Sequence, residues 1–305
     1  MKQSQPSILA EIVAIARLHI MLVAMGATVV FGWIATGERP WALTLVVTVD
    51  WFLINLMNRV TDIEEDLRNQ IPGTERVARR KRAVTIGAIA LMAGSFLVTH
   101  AIWPSLTPWR IAVQAIGVAY NYRIVPTPKG LSRFKEMYFF KNFGSSVLFV
   151  LTCFVYPIAA AGFRVIVPWQ TVVVLAVFFV PFELTFEILY DMRDIEGDRV
   201  GGVPTYPVVH GIEPSRRIID ALLGGSAIVL AGAFLARAIG MRELLMIVAP
   251  VSQFFFYRPR YRRGLTPRDC VVLTHLGTAQ LALFIVGTAL WARAGLPANV
   301  FLGSP

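Results

Sequence analysis

Long apolar runs separated by short polar stretches set the rhythm of this chain. Runs long enough to cross a hydrocarbon core of about 30 Å fall at residues 10–36, 41–60, 83–103, 138–161, 169–190, 217–238 and 270–292. Two shorter runs, 108–122 and 241–257, have a length that suits a tilted, partly shielded helix or a re-entrant segment. In lipid every backbone N–H and C=O must be satisfied within the segment, which helices do. The pattern therefore predicts an all-α polytopic membrane protein of about nine transmembrane helices. No polar, Ser/Gly-rich linker interrupts it, so a single membrane domain is expected over residues 1–305. The first run begins near Ile8 after one lysine, Lys2, without a small-residue cleavage site, and reads as a retained helix.

Composition agrees with lipid as the solvent: 56% of the 305 residues are hydrophobic, 16% are charged, and the mean hydropathy is +0.61. Cys153 and Cys270 lie in or beside apolar runs, far apart, and form neither a disulfide framework nor a ligand pattern.

Charge placement adds orientation, because loops facing the cytoplasm are enriched in Lys and Arg. With the N-terminus inside, the inner loops comprise Arg59 to Arg82, Arg123 to Lys135, Arg193 to Arg217 and Arg258 to Arg268. Counting Lys2 and the helix-end residues Arg17 and Lys141, the inner side takes 23 of the 29 basic residues and leaves six outside. One missed span would flip every later loop and mix the two classes. The expected location is therefore a bacterial-type cell membrane, with the N-terminus and the acidic loops cytoplasmic. The net charge of +10 is dispersed over alternate loops, where orientation and anionic lipid account for it, so no nucleic-acid partner is expected.

Two acidic constellations carry the chemistry. The second run ends in LMNRVTDIEEDLRN, placing Asn58, Asp62 and Asp66 at intervals of four. The run over 169–190 passes into FEILYDMRDIEGDR, placing Asp191, Asp194 and Asp198 at intervals of three and four. On a helix each set shares one face. Stacked carboxylates repel one another, so a compensating cation is expected. Magnesium suits the arrangement: it takes one or two carboxylates from each side, keeps several waters and fills its shell with substrate phosphate oxygens. The plainer reading is that these acids are solvated loop charges paired with nearby arginines. Two such sets at matched depth argue against it.

Asn-x-x-x-Asp-x-x-x-Asp at 58–66, Asp-x-x-Asp-x-x-x-Asp at 191–198 and the continuation GDRVGGVPTYPVVHG from Gly197 to Gly211 resemble the UbiA superfamily of intramembrane prenyltransferases. The resemblance covers nearly the whole chain. It implies nine helices around a central lipid-open cavity, with both motifs on the cytoplasmic side. It also implies that Asn58, Asp62, Asp66, Asp191, Asp194 and Asp198 bind Mg²⁺ and the diphosphate of an isoprenoid donor. Asp62, Asp66, Asp194 and Asp198 are then the expected catalytic residues. Many members carry Asn-Asp and then Arg-Pro in the first motif, where this chain has Asn58-Arg59 and NQIPGTERVARRKR. That departure leaves the acceptor open.

A diphosphate leaving group also calls for Arg or Lys at its oxygens. Arg123, Lys129, Arg133, Lys135 and Lys141 share the predicted inner side with the acidic loops. Arg133 and Lys135 are the first candidates, followed by Lys141 and Asn142 at the start of a helix. Arg17, inside the first apolar run, is a further diphosphate-binding candidate, because a charge at that depth usually faces an interior or a cavity. Asp50, Glu183 and Glu187 also lie within apolar runs. Glu187 continues the second acidic stripe inward, whereas packing is the more ordinary role for Asp50 and Glu183. His19, His100, His210 and His275 show no ligand spacing.

The sequence thus predicts Mg²⁺-dependent transfer of a prenyl chain from its diphosphate to a hydrophobic or aromatic acceptor through an allylic cation. A cyclase on the same scaffold and phosphoribosyl transfer to a polyprenyl phosphate are the enzymatic alternatives. An ion transporter is the non-enzymatic one, although its acids belong deep in several facing helices and not at helix ends.

Overall fold

A computed structural model of the chain describes residue 13 and residues 15–69, 71–128 and 130–296. The beginning of the first apolar run, Lys2 and Lys129 lie outside the described residues. In chain order the elements are α1 (Leu18–Thr36), α2 (Trp41–Thr61), α3 (Ile63–Arg68), α4 (Thr74–Arg79), α5 (Lys81–Ile102) and α6 (Thr107–Asn121). A hairpin of β1 (Val125–Thr127) and β2 (Gly130–Ser132) follows. After it come α7 (Tyr138–Ala160), α8 (Trp169–Gly201), α9 (Tyr206–His210), α10 (Ile212–Leu235), α11 (Met241–Leu244), α12 (Val248–Arg262) and α13 (Pro267–Arg293).

Among the described residues, seven helices are long and apolar enough to span a bilayer: α1, α2, α5, α7, α8, α10 and α13. The two short apolar runs are also helical. One is α6, and the other runs from Met241 to Arg262 through a 3₁₀ turn at Leu245–Ile247. The predicted helical membrane protein is what the chain forms. Its one sheet among the described residues is the β1–β2 pair, antiparallel with Val125 opposite Ser132 and Thr127 opposite Gly130. Gly130 takes φ +108°, a backbone conformation costly to any residue with a Cβ, and lets the basic loop fold back on itself.

Several local features decide where the helices end. Asp62 adopts φ −106° and ψ 29°, so α2 stops at Thr61 and the chain turns into α3. At the C-terminus of α8, Gly202 is left-handed and Val203 N–H donates to Asp198 O at 2.9 Å, tying off the last turn. At the head of α13, Thr266 and Asp269 cap each other's backbone N–H groups. Within α7, Pro157 lacks the N–H that would bond to residue 153, and the helix relaxes into a π-type turn over Leu151–Val155.

Packing brings α1, α2, α7 and α8 together around the interior, while α5 has a single buried residue, Thr99. Residues such as Ile86, Leu97 and Val98 on α5 face outward, as a lipid-exposed helix requires. Small residues permit the close crossings: a Cβ at Gly117 would approach Ile54 to 2.7 Å, and one at Gly32 would approach Pro157 to 2.7 Å. Asp50 and Arg110 are both fully buried and form an ion pair. Gln114 and the Tyr156 hydroxyl donate to the same carboxylate at 2.9 Å each. Arg110, which charge counting assigns to an outer loop, is therefore an interior partner of Asp50.

Candidate active site

α8 is 33 residues long, or about 50 Å at the helical rise, against a hydrocarbon core of about 30 Å. The unbroken continuation of the membrane helix thus carries Asp191, Asp194 and Asp198 towards and past its end. α2 delivers Asn58 at its last turn, and the break at Asp62 places the remainder of the first motif on α3. The motif is consequently not one continuous stripe: Asp62 occupies the corner, and its carbonyl accepts from Asp66 N–H at 2.8 Å across the joint.

The two motifs face each other across a single cavity of about 190 Å³. Asn58, Asp62 and Glu65 line one side, and Asp191, Asp194 and Asp198 line the other. A Cβ added at Gly197 would overlap the side-chain amide of Asn69, the residue that follows α3. Asp66 is buried but does not line the cavity; it pairs with Arg59 at 2.7 Å. Glu65 takes its place. The intervals of four in the first motif do not mark Glu65, although its position three residues after Asp62 puts it on the same side of a helical turn.

Basic groups reach the acids from distant segments. Lys135 Nζ lies 2.7 Å from Asp62 and 3.0 Å from Glu65. Burial pushes the Glu65 carboxyl up, and Lys135 opposes the shift. Arg133 Nη1 donates to Asp62 at 3.0 Å while its Nε donates to Glu136 at 2.9 Å, so Glu136 aims it. Burial acts to raise Glu136, but bonds from Ser132, Arg133 and Arg123 outweigh it and hold the carboxyl down at about 2. Lys141 Nζ lies 2.8 Å from Asp191 and 2.9 Å from Glu187. Arg193 forms an ion pair with its neighbour Asp194. Arg17 Nη2 donates to Asn58 Oδ1 at 2.9 Å, and Asn58 in turn donates to Asp62. Arg17 is held at φ +48°, a strained conformation for a side chain of its size, and the bond to Asn58 helps to offset that cost.

Of the predicted diphosphate ligands, Arg17, Asn58, Lys135 and Lys141 line the cavity. Arg133 touches Asp62 from outside the lining, and Arg123 bonds to Glu136. Asn142 is fully buried and plays another part, donating to the Tyr138 and Pro204 carbonyls and accepting from Tyr206 N–H. It thereby fastens the loop after the second motif to α7.

Deeper in, the wall is formed by Trp51, Phe149, Tyr120 and Glu183. Trp51 packs on Phe149 with ring centroids 4.3 Å apart, and its indole N–H donates to Thr152 at the π-type turn at 3.2 Å. A second, mainly apolar cavity of about 440 Å³ adjoins the first, and the two share Val23, Glu183 and Phe186. Nothing in the sequence marks these residues, since an aromatic on an apolar helix packs more often than it lines a cavity.

The donor chemistry fits a hard divalent ion. Asp191 Oδ2 and Asp198 Oδ2, on residues that line the cavity, are buried oxygens without a hydrogen-bond partner, a costly condition that a coordinated cation relieves. Among the described residues no three His, Cys, Asp or Glu side chains are close enough to form a ready-made metal cage.

The profile of the UbiA prenyltransferase family matches residues 132–284. No curated protein sequence matches the chain. Among solved structures, a UbiA homologue from Archaeoglobus fulgidus bound to GPP and Mg²⁺ is 18% identical with a TM-score of 0.66, covering 92% of this chain and 99% of the other. The same homologue bound to DMAPP and Mg²⁺ gives 20% identity and a TM-score of 0.64, covering 92% and 98%. A structure of digeranylgeranylglyceryl phosphate synthase gives 16% identity and a TM-score of 0.58, covering 92% and 98%. With half of its length matched by the family profile and its fold shared with these proteins, the chain belongs to the UbiA prenyltransferase family.

Proposed function

We propose that this membrane protein transfers an isoprenoid chain from a prenyl diphosphate to a hydrophobic acceptor, with magnesium as cofactor. The observation that carries this reading is one cavity walled by both acidic motifs, supplied with buried cations and adjoining an apolar cavity with which it shares Val23, Glu183 and Phe186. A molecule with a polyanionic head and a hydrocarbon tail matches the two compartments. The Archaeoglobus fulgidus homologue was solved with GPP or DMAPP and Mg²⁺, ligands of that class.

Asn58, Asp62, Asp191, Asp194 and Asp198 would hold Mg²⁺ and through it the diphosphate, with Asp66 steadying Arg59 at the edge. Bound there, the ion would supply positive charge to the leaving diphosphate oxygen. The protein's own cations add to it: Lys135, Lys141 and Arg17 bring N–H donors to the same compartment, where charge develops as the allylic C–O bond breaks. Trp51 and Phe149 line the deeper wall, where aromatic rings would stabilise an allylic cation. The acceptor then attacks the allylic carbon. The charge asymmetry favours an N-terminus and a cavity mouth on the cytoplasmic side.

The test is incubation of purified protein with Mg²⁺ and prenyl diphosphates of graded length, with and without quinone-precursor, glycerol-lipid and porphyrin acceptors. Acceptor-dependent diphosphate release supports transfer. Product formed without an acceptor points to cyclisation, and activity only with phosphoribosyl diphosphate points to a sugar donor. Asp62→Ala or Asp194→Ala should abolish Mg²⁺-dependent release while leaving the protein folded; turnover retained in both removes these residues from the reaction.

A further inference from the structure

Most buried acids among the described residues have basic partners; the two without one are Asp198, in the second acidic motif at the end of α8, and Glu183, farther back along the same helix. Asp50, Asp62, Asp66, Asp191, Glu243 and Asp269 each lie within 4 Å of an Arg or Lys nitrogen. Glu183, only 5% exposed, has no ion-pair partner among the described residues. The Ser146 hydroxyl donates to Glu183 Oε2. The cation on that side, Lys141, is already bound by Asp191 and Glu187.

Position sets Glu183 apart from Asp198. Glu183 precedes Asp191 by eight residues on α8, a little over two turns, so it lies near the same face about 12 Å farther along the helix axis. With Val23 and Phe186, it belongs to the walls of both the polar and the apolar cavity. If the diphosphate occupies the first and the hydrocarbon tail the second, the allylic carbons cross at this junction. An unpaired carboxyl group is costly to keep in such a place, and packing alone would be served better by an apolar side chain.

Resting on the prenyl-transfer reading, we propose that Glu183 is the catalytic base that removes the acceptor's proton. The carbon–oxygen bond of the donor breaks and its electron pair leaves with the diphosphate. The acceptor atom gives an electron pair to the allylic carbon, forming the new bond. The proton still on that acceptor atom passes to a Glu183 carboxylate oxygen, and the electron pair of the broken bond returns to the acceptor. Donor plus protonated acceptor thus become prenylated acceptor, diphosphate and one proton held by Glu183. Ser146 positions the carboxylate by donating to its other oxygen.

Glu183→Gln tests this, since glutamine keeps the volume and still accepts from Ser146 but takes up no proton. The donor probe is geranyl diphosphate with Mg²⁺, and the acceptor is whichever of the quinone-precursor, glycerol-lipid and porphyrin compounds supports the fastest native turnover. The variant should bind the donor within about twofold of native protein and lose about 100-fold or more in turnover. Glu183→Asp should recover part of the loss, and native turnover should slow when the acceptor is deuterated at the position it loses. Turnover of Glu183→Gln within about threefold of native, or loss of donor binding in parallel with turnover, overturns the assignment. If Glu183→Gln does not fold, Ser146→Ala replaces it. An unchanged rate and an unchanged isotope effect in that variant likewise overturn the role. A native protein that releases no diphosphate with any acceptor defeats the prenyl-transfer reading itself, which is a separate outcome.

Discussion

Lys141 places its ammonium 2.8 Å from Asp191, joining the start of α7 to the second acidic motif. The contact uses Asp191 Oδ1 and leaves Oδ2 buried without a partner. A counter-charge is thus built in beside an oxygen still able to coordinate.

Lys141→Met should remove that counter-charge while leaving Asp191 buried. Breaking a buried pair from one side costs roughly 3–5 kcal/mol, so thermal unfolding in detergent should move down clearly. Lys141→Arg, which keeps the charge, should lose much less. Equal stability of native protein and Lys141→Met would show that the pair contributes nothing.

The Asp50–Arg110 pair, fully buried in the interior, supports a cycle argument. Arg110→Met alone should destabilise by roughly 3–5 kcal/mol, because it strands the Asp50 carboxylate. Arg110→Met combined with Asp50→Leu should cost less than the single change. Additive losses in unfolding measurements would contradict the coupling.

A Cβ at Gly197 would meet the amide end of the Asn69 side chain, so added bulk there has to displace Asn69. Gly197→Val, which adds two methyl groups beyond that Cβ, should displace Asn69 and lower diphosphate release. Adding Asn69→Ala should restore part of the rate by clearing the space. Full activity in Gly197→Val alone would show that the close approach is dispensable.

Glu136, held at about 2 against an ordinary value of 4.5, links stability of the hairpin loop to pH. A depressed folded value means that its contribution is present in full above the unfolded value and is lost as pH falls through the folded one. The stability difference between native protein and Glu136→Gln should be constant from pH 7 to about 5 and fade between about 4.5 and 2. Because Glu136 also orients Arg133 towards Asp62, the variant should have a higher KM for the donor at neutral pH. A difference in stability that persists unchanged at pH 2 would rule out the titration.

Whatever local composition governs was legible along the chain. A run such as 169–190 must be helical in lipid because no other backbone satisfies its own hydrogen bonds there, and the spacing of Asn58, Asp62, Asp191, Asp194 and Asp198 anticipated residues that share one cavity. The rest depends on which distant groups meet, and only folding brings them together. Lys135 finds Asp62, and Lys141 finds Asp191. The bend at Asp62 exchanges Asp66 for Glu65 in the cavity wall. Arg110, counted on the outer side by its charge, finds Asp50 in the interior. Glu183, which on a linear reading is one polar residue in an apolar helix, gains its significance only because two cavities join beside it. Hydropathy is a property of each segment, whereas the partner of a buried charge is chosen by packing across the whole bundle.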